Sequence, residues 1–435
     1  MKRVKTAGDT PHVSVSAASA ATEYNDFVIR ARRKDGRTVS VSVEASPAGP
    51  MTKAQTVSFP QKEAAQLRTS FLASFAGPKL QSGRMLLTPD EATAIGKRLA
   101  QVLFPGKAFQ LFAESVAAVV ARPNRGLRIR LAMDASLLDL PWEYVYRPDR
   151  VGQGISGFLL LDPSISMVRH AADERIRIQP IEGSQRLAFA GTLWEGNKDG
   201  WEVWKEFDLL REALKPVARY IQPEFAVASH TKALAGGHAG KAAIFHYAGH
   251  CDFGADGRAF LLRELPTSRA LLPEDIVSLD TLAPILGEGG TRLAVMSACN
   301  SGHWAAVKPL LDAGIPAVVG VNGGVASVST IEFCKKLYES LSVGLTLDEA
   351  VGRARMHVME WGRRLDLFDW GLFMVHMPSP QATLFPRATT RAVATRQWAI
   401  RKEHAITIGS TLRLAREIDG MNFGEIMSEL SKRRV

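Results

Sequence analysis

The sequence predicts an α/β fold with a largely parallel core sheet covered by helices on both faces, and two patterns carry that prediction. From about residue 186 short apolar runs alternate with helical stretches: RLAFAGTLW, a helix near 202–214, AAIFHYAGH (242–250), RLAVMSAC (292–299), IPAVVGV (315–321), then helices near 329–341 and 346–360. The runs are nearly continuous rather than polar at every second residue, as strands buried on both faces must be. Upstream, roughly over 23–175, β and α signals mix.

In that first region Phe27, Ile29 and Ala31 alternate, Lys34-Asp35-Gly36-Arg37 turns, and Val39, Val41 and Val43 alternate again, the pattern of a β-hairpin. Thr88-Pro89-Asp90-Glu91 joins a capping box to a proline at the first helical position. Ile95, Leu99, Val102 and Leu103 then share one apolar face, so a helix starts here. A second helix is expected over 108–120, followed by the alternating strand Leu127, Ile129, Leu131 and Met133 and by Leu140-Pro141-Trp142-Glu143. A buried aromatic beside a paired acid explains Trp142 and Glu143 without a site. Another apolar run, Phe158 to Leu161, leads to Ser166-Met167-Val168-Arg169, and the polar segment 171–185 joins this region to the strand–helix alternation.

The last strand is expected at Phe373–Met377. Beyond it, Gly420 separates a helical pattern near 411–419 from one opened by Met421, Asn422 and Glu425, which reads as a helical hairpin appended to the core. The expected organisation is a loose tail at 1–22, a β/α region at 23–180, an α/β domain at 184–385 and a basic helical appendage at 386–435.

A chain of 435 residues with 46% apolar and 23% charged residues has enough material for a large core, which excludes general disorder. Three cysteines cannot close a disulfide framework, and no apolar run approaches the roughly 18 residues that cross a bilayer. The stretch after Lys2, Arg3 and Lys5 is too polar for the apolar centre of a signal peptide. A reducing, cytoplasmic setting with no membrane partner is the expectation. The net charge is +10, yet residues 381–435 hold ten Lys/Arg against five acids, which is half of the excess. The main body is only mildly basic and gives nucleic-acid binding little support.

In parallel sheets, catalytic groups collect at the carboxyl ends of strands, because the loops there converge on a crevice. His250 closes one expected strand and Cys299 another, 49 positions later. Neighbouring strand ends would bring an imidazole to a thiol, and a nearby histidine together with the amide dipoles of a following helix eases formation of the nucleophilic thiolate. The turn Asn300-Ser301-Gly302 offers amides that, with the Cys299 N–H, suit an oxyanion. The plainer alternative is a small buried cysteine and a satisfied core histidine. His246, His250, Cys251, Cys299 and His303 are zinc-ligand types without paired CxxC spacing, so no metal centre is expected. Gly236–Lys241 is no phosphate loop: Ala235 and Ala242 stand where glycine and Ser/Thr are needed, and a strand follows it rather than precedes it. Cys334 lies at core spacing with Tyr338 and Leu341.

HYAGHCDF, SACNSG and AGIPAVVGV together resemble the CHAT domain, a caspase-like branch of the clan CD cysteine peptidases. LRIRLAMD, LDLPWEYVY, GFLLL and SMVR resemble its amino-terminal half. The helix bearing Phe333 and Tyr338, LTLDEAVGRAR and DWGLFMVHMPSP extend the likeness, which covers roughly 85–385. The resemblance implies a caspase-like fold with His250 as catalytic histidine, Cys299 as nucleophile and His246 beneath the site. It also implies cleavage of a protein partner in a regulatory or defence response, with no metal or organic cofactor. The family commonly has glycine after its histidine, with an amide in the oxyanion hole; here Gly249 and Cys251 flank His250, and a side chain on Cys251 is expected to crowd the hole. Ser297, two before the nucleophile, stands where related peptidases place a specificity group. Asp252, Asp256 and Asp275 are acids that either line a pocket for Arg or Lys or are solvated loop acids. The rival from another class is a non-catalytic caspase-like scaffold whose basic tail binds a partner or nucleic acid. In either case 386–435 is the place for an activating or inhibitory protein.

Overall fold

A computed structural model describes residues 22–75, 87–150, 152–170, 178–194, 201–227, 241–265, 271–365, 367–377 and 383–386. In chain order its strands are β1 (Glu23–Arg33), β2 (Thr38–Ala45), β3 (Gln55–Ser58), β4 (Arg125–Met133), β5 (Ile165–His170), β6 (Gln185–Gly191), β7 (Leu193–Trp194) and β8 (Ile221–Val227). There follow β9 (Ala242–Gly249), β10 (Cys251–Phe253), β11 (Ala259–Leu262), β12 (Glu264–Leu265), β13 (Ile276–Ser278), β14 (Leu293–Ala298), β15 (Val318–Val321) and β16 (Phe373–His376). Eleven of them form one sheet in the order β3-β2-β1-β4-β5-β16-β15-β14-β9-β6-β8. From β1 onward every neighbouring pair is parallel except β15 with β16.

Local chemistry explains the elements that the sequence announces. Asp35 accepts hydrogen bonds from the amides of Arg37 and Thr38, both 2.7 Å, and closes the β1–β2 hairpin. The helix Pro89–Leu103 begins with the reciprocal capping box: the Glu91 amide donates to Thr88 Oγ1 at 3.2 Å and the Thr88 amide to Glu91 Oε2 at 2.9 Å. Its apolar face and that of Lys107–Val120 pack on the β1–β4 side, where Phe27 meets Phe112 edge-on at 6.0 Å.

On the carboxy-terminal part of the sheet the two faces carry separate cores. Helices Trp201–Leu214 and Ser327–Ser342 supply Phe207, Leu210, Phe333 and Leu337 to one. Helices Leu279–Glu288 and Trp304–Asp312 supply Leu282, Leu286, Val307 and Leu310 to the other. The expected α/β class is therefore what the chain adopts. The regions 23–180 and 184–385, distinct in sequence, share one sheet that passes from β5 to β16, where Met377 N donates to Arg169 O at 2.9 Å.

Several elements differ from expectation. Helices Leu279–Glu288 and Trp304–Asp312 contain Pro284 and Pro309, and β8 contains Pro223, each of which argues against the element when read locally. The β10–β11–β13 sheet has strands of three or four residues, below the length at which a period declares itself. The run at 158–161 forms a 3₁₀ turn, Leu159–Leu161, and the strand expected over 315–321 occupies only Val318–Val321. The tail 1–22, apart from Thr22, and the helical hairpin near 411–434 lie outside the described residues. No single helix among the described residues is long and apolar enough to cross a membrane.

A buried ionic cluster sits at the junction of the two regions. Arg169 donates to Glu143 at 2.5 Å, to Leu140 O at 3.0 Å and to Leu138 O. Arg355 donates twice to Phe373 O, at 2.9 and 2.7 Å, and lies 3.7 Å from Glu143. Burial pushes the Arg355 guanidinium down to about 10 while Glu143 opposes the shift. The structural reading of Trp142 and Glu143 holds: both are buried, and Trp142 Nε1 donates to Leu137 O at 2.8 Å. Glu143→Ala leaves two buried cations without their shared anion, so unfolding free energy is expected to fall by about 3–5 kcal/mol, read from urea denaturation.

Candidate active site

Strands β9 and β14 run parallel and in register, from Leu293 opposite Ile244 to Ala298 opposite Gly249. The next residues are Cys299 and His250, so both leave the sheet at the same level, on strands about 4.8 Å apart. Alternation decides their face. Ile244, Ala248, Leu293 and Val295 belong to the first core, and Cys299 packs against that core. Period two carries His246 and Ala248 on to His250, while Tyr247, Cys251, Met296 and Ala298 belong to the opposite core. Imidazole and thiol therefore emerge from adjacent strand ends on one side of the sheet.

The His250 backbone is clamped by two hydroxyls. Its amide donates to Tyr247 Oη at 3.1 Å and Thr192 Oγ1 at 3.2 Å, and its carbonyl accepts from Tyr247 Oη at 2.7 Å and from Leu262 N at 2.9 Å. Thr192 Oγ1 and Tyr247 Oη are 2.6 Å apart, and both also reach Leu262 O. The close approach requires Gly249, since a Cβ there would stand 2.1 Å from Thr192 Oγ1. Burial lowers the His250 pKa from its ordinary value, and the Glu202 carboxylate acts in the opposite direction.

Cys299 heads a turn whose Asn300 adopts φ 59°, a left-handed conformation that asparagine tolerates better than most residues. Burial pushes the Cys299 thiol up, partly offset by the Val325 amide, which donates to Sγ at 3.5 Å. The expectation that Asn300, Ser301 and Gly302 offer amides to an oxyanion is corrected. Those amides donate to Gly323 O (3.0 Å), Ala298 O (3.3 Å) and Val321 O (2.8 Å), because the turn closes on the end of β14 and is stitched to the end of β15 and the residues just beyond it.

The expected crowding by Cys251 is corrected as well: its side chain is buried in the opposite core, and burial pushes its thiol up to about 12. Cys251 faces Leu261, and the bond from Leu262 N to His250 O makes this a non-hydrogen-bonded antiparallel pair. The Cys251 amide therefore points away from the β10–β11 hairpin, outside its ladder.

Beneath the strand ends lies a buried polar network that sequence reasoning missed. Glu206 Oε1 is 2.8 Å from His246 Nε2, Ser297 Oγ donates to Glu206 Oε2 at 3.1 Å, and His246 Nδ1 is 3.0 Å from Tyr338 Oη. Ser297 thus serves the strand scaffold rather than a substrate pocket. Asp275 is buried and accepts from Leu272 N at 2.8 Å, as a local cap does. Asp252 and Asp256 accept from the amides of Phe253 and Arg258 at 2.8 and 3.0 Å; Asp252 is exposed on the β10–β11 hairpin. Cys334 is buried beside Glu206, so Glu206, His246 and Cys334 are a compact group of metal-ligand types. Glu206 and His246 already saturate one another and their neighbours, which fits a scaffold better than a metal centre. Of the sequence set, His303 is engaged elsewhere, its Nε2 lying 2.9 Å from Asp139.

The family model described as CHAT domain matches residues 93–379. No curated protein matches the chain. Among solved structures it is similar to the Arg-specific cysteine proteinase gingipain R, with 13% identity over 68% of this chain and 71% of that one, TM-score 0.42. It is similar also to the Saccharomyces cerevisiae separase–securin complex, with 10% identity over 81% of this chain and 30% of that one, TM-score 0.42. A complex of Porphyromonas gingivalis RgpB pro- and mature domains gives 13% identity over 68% and 73%, TM-score 0.40.

Because burial disfavours the Cys299 thiolate, iodoacetamide should alkylate this residue with a rate that rises with pH and a midpoint above the roughly 8.5 of an unhindered cysteine. Mass spectrometry should find Cys251 and Cys334, 4% and 2% exposed, unmodified under the same conditions.

Proposed function

The chain belongs to the CHAT domain family, and from that premise we propose that it is a cysteine endopeptidase with His250 and Cys299 as its dyad. The observation that carries this reading is the register of β9 with β14, which sets the two residues side by side on one face. Burial favours neutral imidazole and neutral thiol in the resting protein, so the dyad works by general-base catalysis. His250 takes the Cys299 proton as sulfur attacks a peptide carbonyl. The amides of Cys251 and Cys299 receive the oxyanion, and the imidazolium returns its proton to the departing amine. Water, deprotonated by the same imidazole, then cleaves the thioester and frees the thiol. The substrate is a protein cut in a regulatory or defence response. Three free cysteines accord with a reducing, cytoplasmic setting.

A panel of peptidyl acyloxymethyl ketones varied at the residue beside the electrophile tests nucleophilicity and preference together. An adduct on Cys299, found by mass spectrometry and dependent on peptide sequence, is expected. His250→Ala should slow its formation by about 10³-fold or more, and Cys299→Ala should abolish it. If partner cleavage or the cellular effect survives Cys299→Ala unchanged, the peptidase reading fails, and the alternative is a caspase-like scaffold that acts by binding.

The segment 386–435, with its ten basic residues, is proposed as the docking place of an activating or inhibitory protein. Its deletion should change activity or partner binding in a pull-down; a truncated chain equal to the full one in both removes that role.

A further inference from the structure

The helix Trp201–Leu214 carries two glutamates one turn apart, Glu202 and Glu206, and the second meets a histidine of β9. Glu206, 4% exposed, meets His246 at 2.8 Å. Glu202 precedes it by four residues and so lies on the same helical side; His250 follows His246 by four residues on the same face of the strand. The helix therefore runs against the strand, with the Glu206–His246 pair deep and Glu202 toward the end that bears the dyad. Its first turn approaches that end closely: a Cβ at Gly191 would stand 2.3 Å from Val203 Cγ1, and Gly191 is in register with Ala248. Among the described residues Glu202 is a charged group whose field acts on His250, and it favours the imidazolium.

We propose that Glu202 is a positioning residue of the site, its carboxylate accepting a hydrogen bond from the His250 ring nitrogen turned away from Cys299. A carboxylate there fixes the tautomer and the rotation of the ring, so that the other nitrogen is unprotonated and faces the thiol. It also stabilises the imidazolium formed when Cys299 loses its proton. The dyad would then act as a Cys-His-Glu triad. The Glu206–His246 bond supplies the rigidity, since it holds helix and strand together one turn below.

The inference rests on the dyad reading, and the experiment separates the two. The rate at which the best peptidyl acyloxymethyl ketone of the panel alkylates Cys299, the sulfur displacing the carboxylate from the methylene, is measured against pH for the full chain, Glu202→Gln and Glu202→Asp. Glu202→Gln is expected to slow the maximal rate about tenfold to a hundredfold with the concentration dependence nearly unchanged. Its acid limb should move to lower pH, because the group that favours the imidazolium is gone; Glu202→Asp should restore most of the rate. His250 is also titrated by NMR in the Cys299→Ala background with and without Glu202→Gln, a readout independent of activity. A lower midpoint in Glu202→Gln supports the triad. Equal rates and equal His250 midpoints overturn it. Unchanged cleavage of a protein partner by Cys299→Ala sinks the dyad reading instead, and the titration then decides by itself whether Glu202 holds His250.

Discussion

Everything at the site depends on one constraint, the parallel register of β9 and β14. A slip of one residue would send either His250 or Cys299 to the opposite face, because side chains alternate with a period of two. Glu206 guards against the slip: one carboxylate oxygen engages His246 of β9 and the other Ser297 of β14, so a single buried group is satisfied only when the strands are in phase. Leaving it unsatisfied would strand a buried polar group without its partners.

A second constraint comes from outside the two strands. Asp139, which follows β4, accepts from Trp304 N at 2.7 Å and lies 2.9 Å from His303 Nε2, at the start of the helix that follows the Cys299 turn. Burial raises the Asp139 pKa, but His303 and the Trp304 amide more than offset it and hold the carboxyl below its usual range. Asn322 Nδ2 reaches Asp139 O at 3.2 Å, so the segment that packs on the turn is tied to the same point. The amino-terminal region thus does more than extend the sheet; it anchors the element on which the nucleophile sits. Gly302 and Gly320 make the tight contact possible, since a Cβ on Gly320 would stand 2.7 Å from the Gly302 backbone.

Function and stability use the same buried polar chemistry in different ways. Glu143 between Arg169 and Arg355 joins the two regions and is buried. Glu206 ties the strands of the site while remaining below it. Thr192 and Tyr247 direct their hydroxyls to the backbone of His250, which fixes where that residue stands and leaves the chemistry to its imidazole.

The α/β class, the β1–β2 hairpin, the capped helix at Pro89 and the two strand ends bearing His250 and Cys299 were all legible in the sequence. Each rests on local periodicity or on neighbours within a few residues. The helices containing Pro284 and Pro309 and the three short strands of the β10–β11–β13 sheet were not, because burial supplied by distant segments overrode local preference there. The amides of the Asn300–Gly302 turn looked available in sequence, yet the fold consumes them on carbonyls of Ala298, Val321 and Gly323. Likewise Ser297 and Asp275 are polar groups whose roles depend on which partner arrives, Glu206 for one and the Leu272 amide for the other. By itself the sequence determined the elements and the reactive residue types, because those depend on short-range pattern. Only the tertiary structure decided which strand lies beside which, which face each side chain takes and which polar groups remain unspent, because these arise from contacts between segments far apart in the chain.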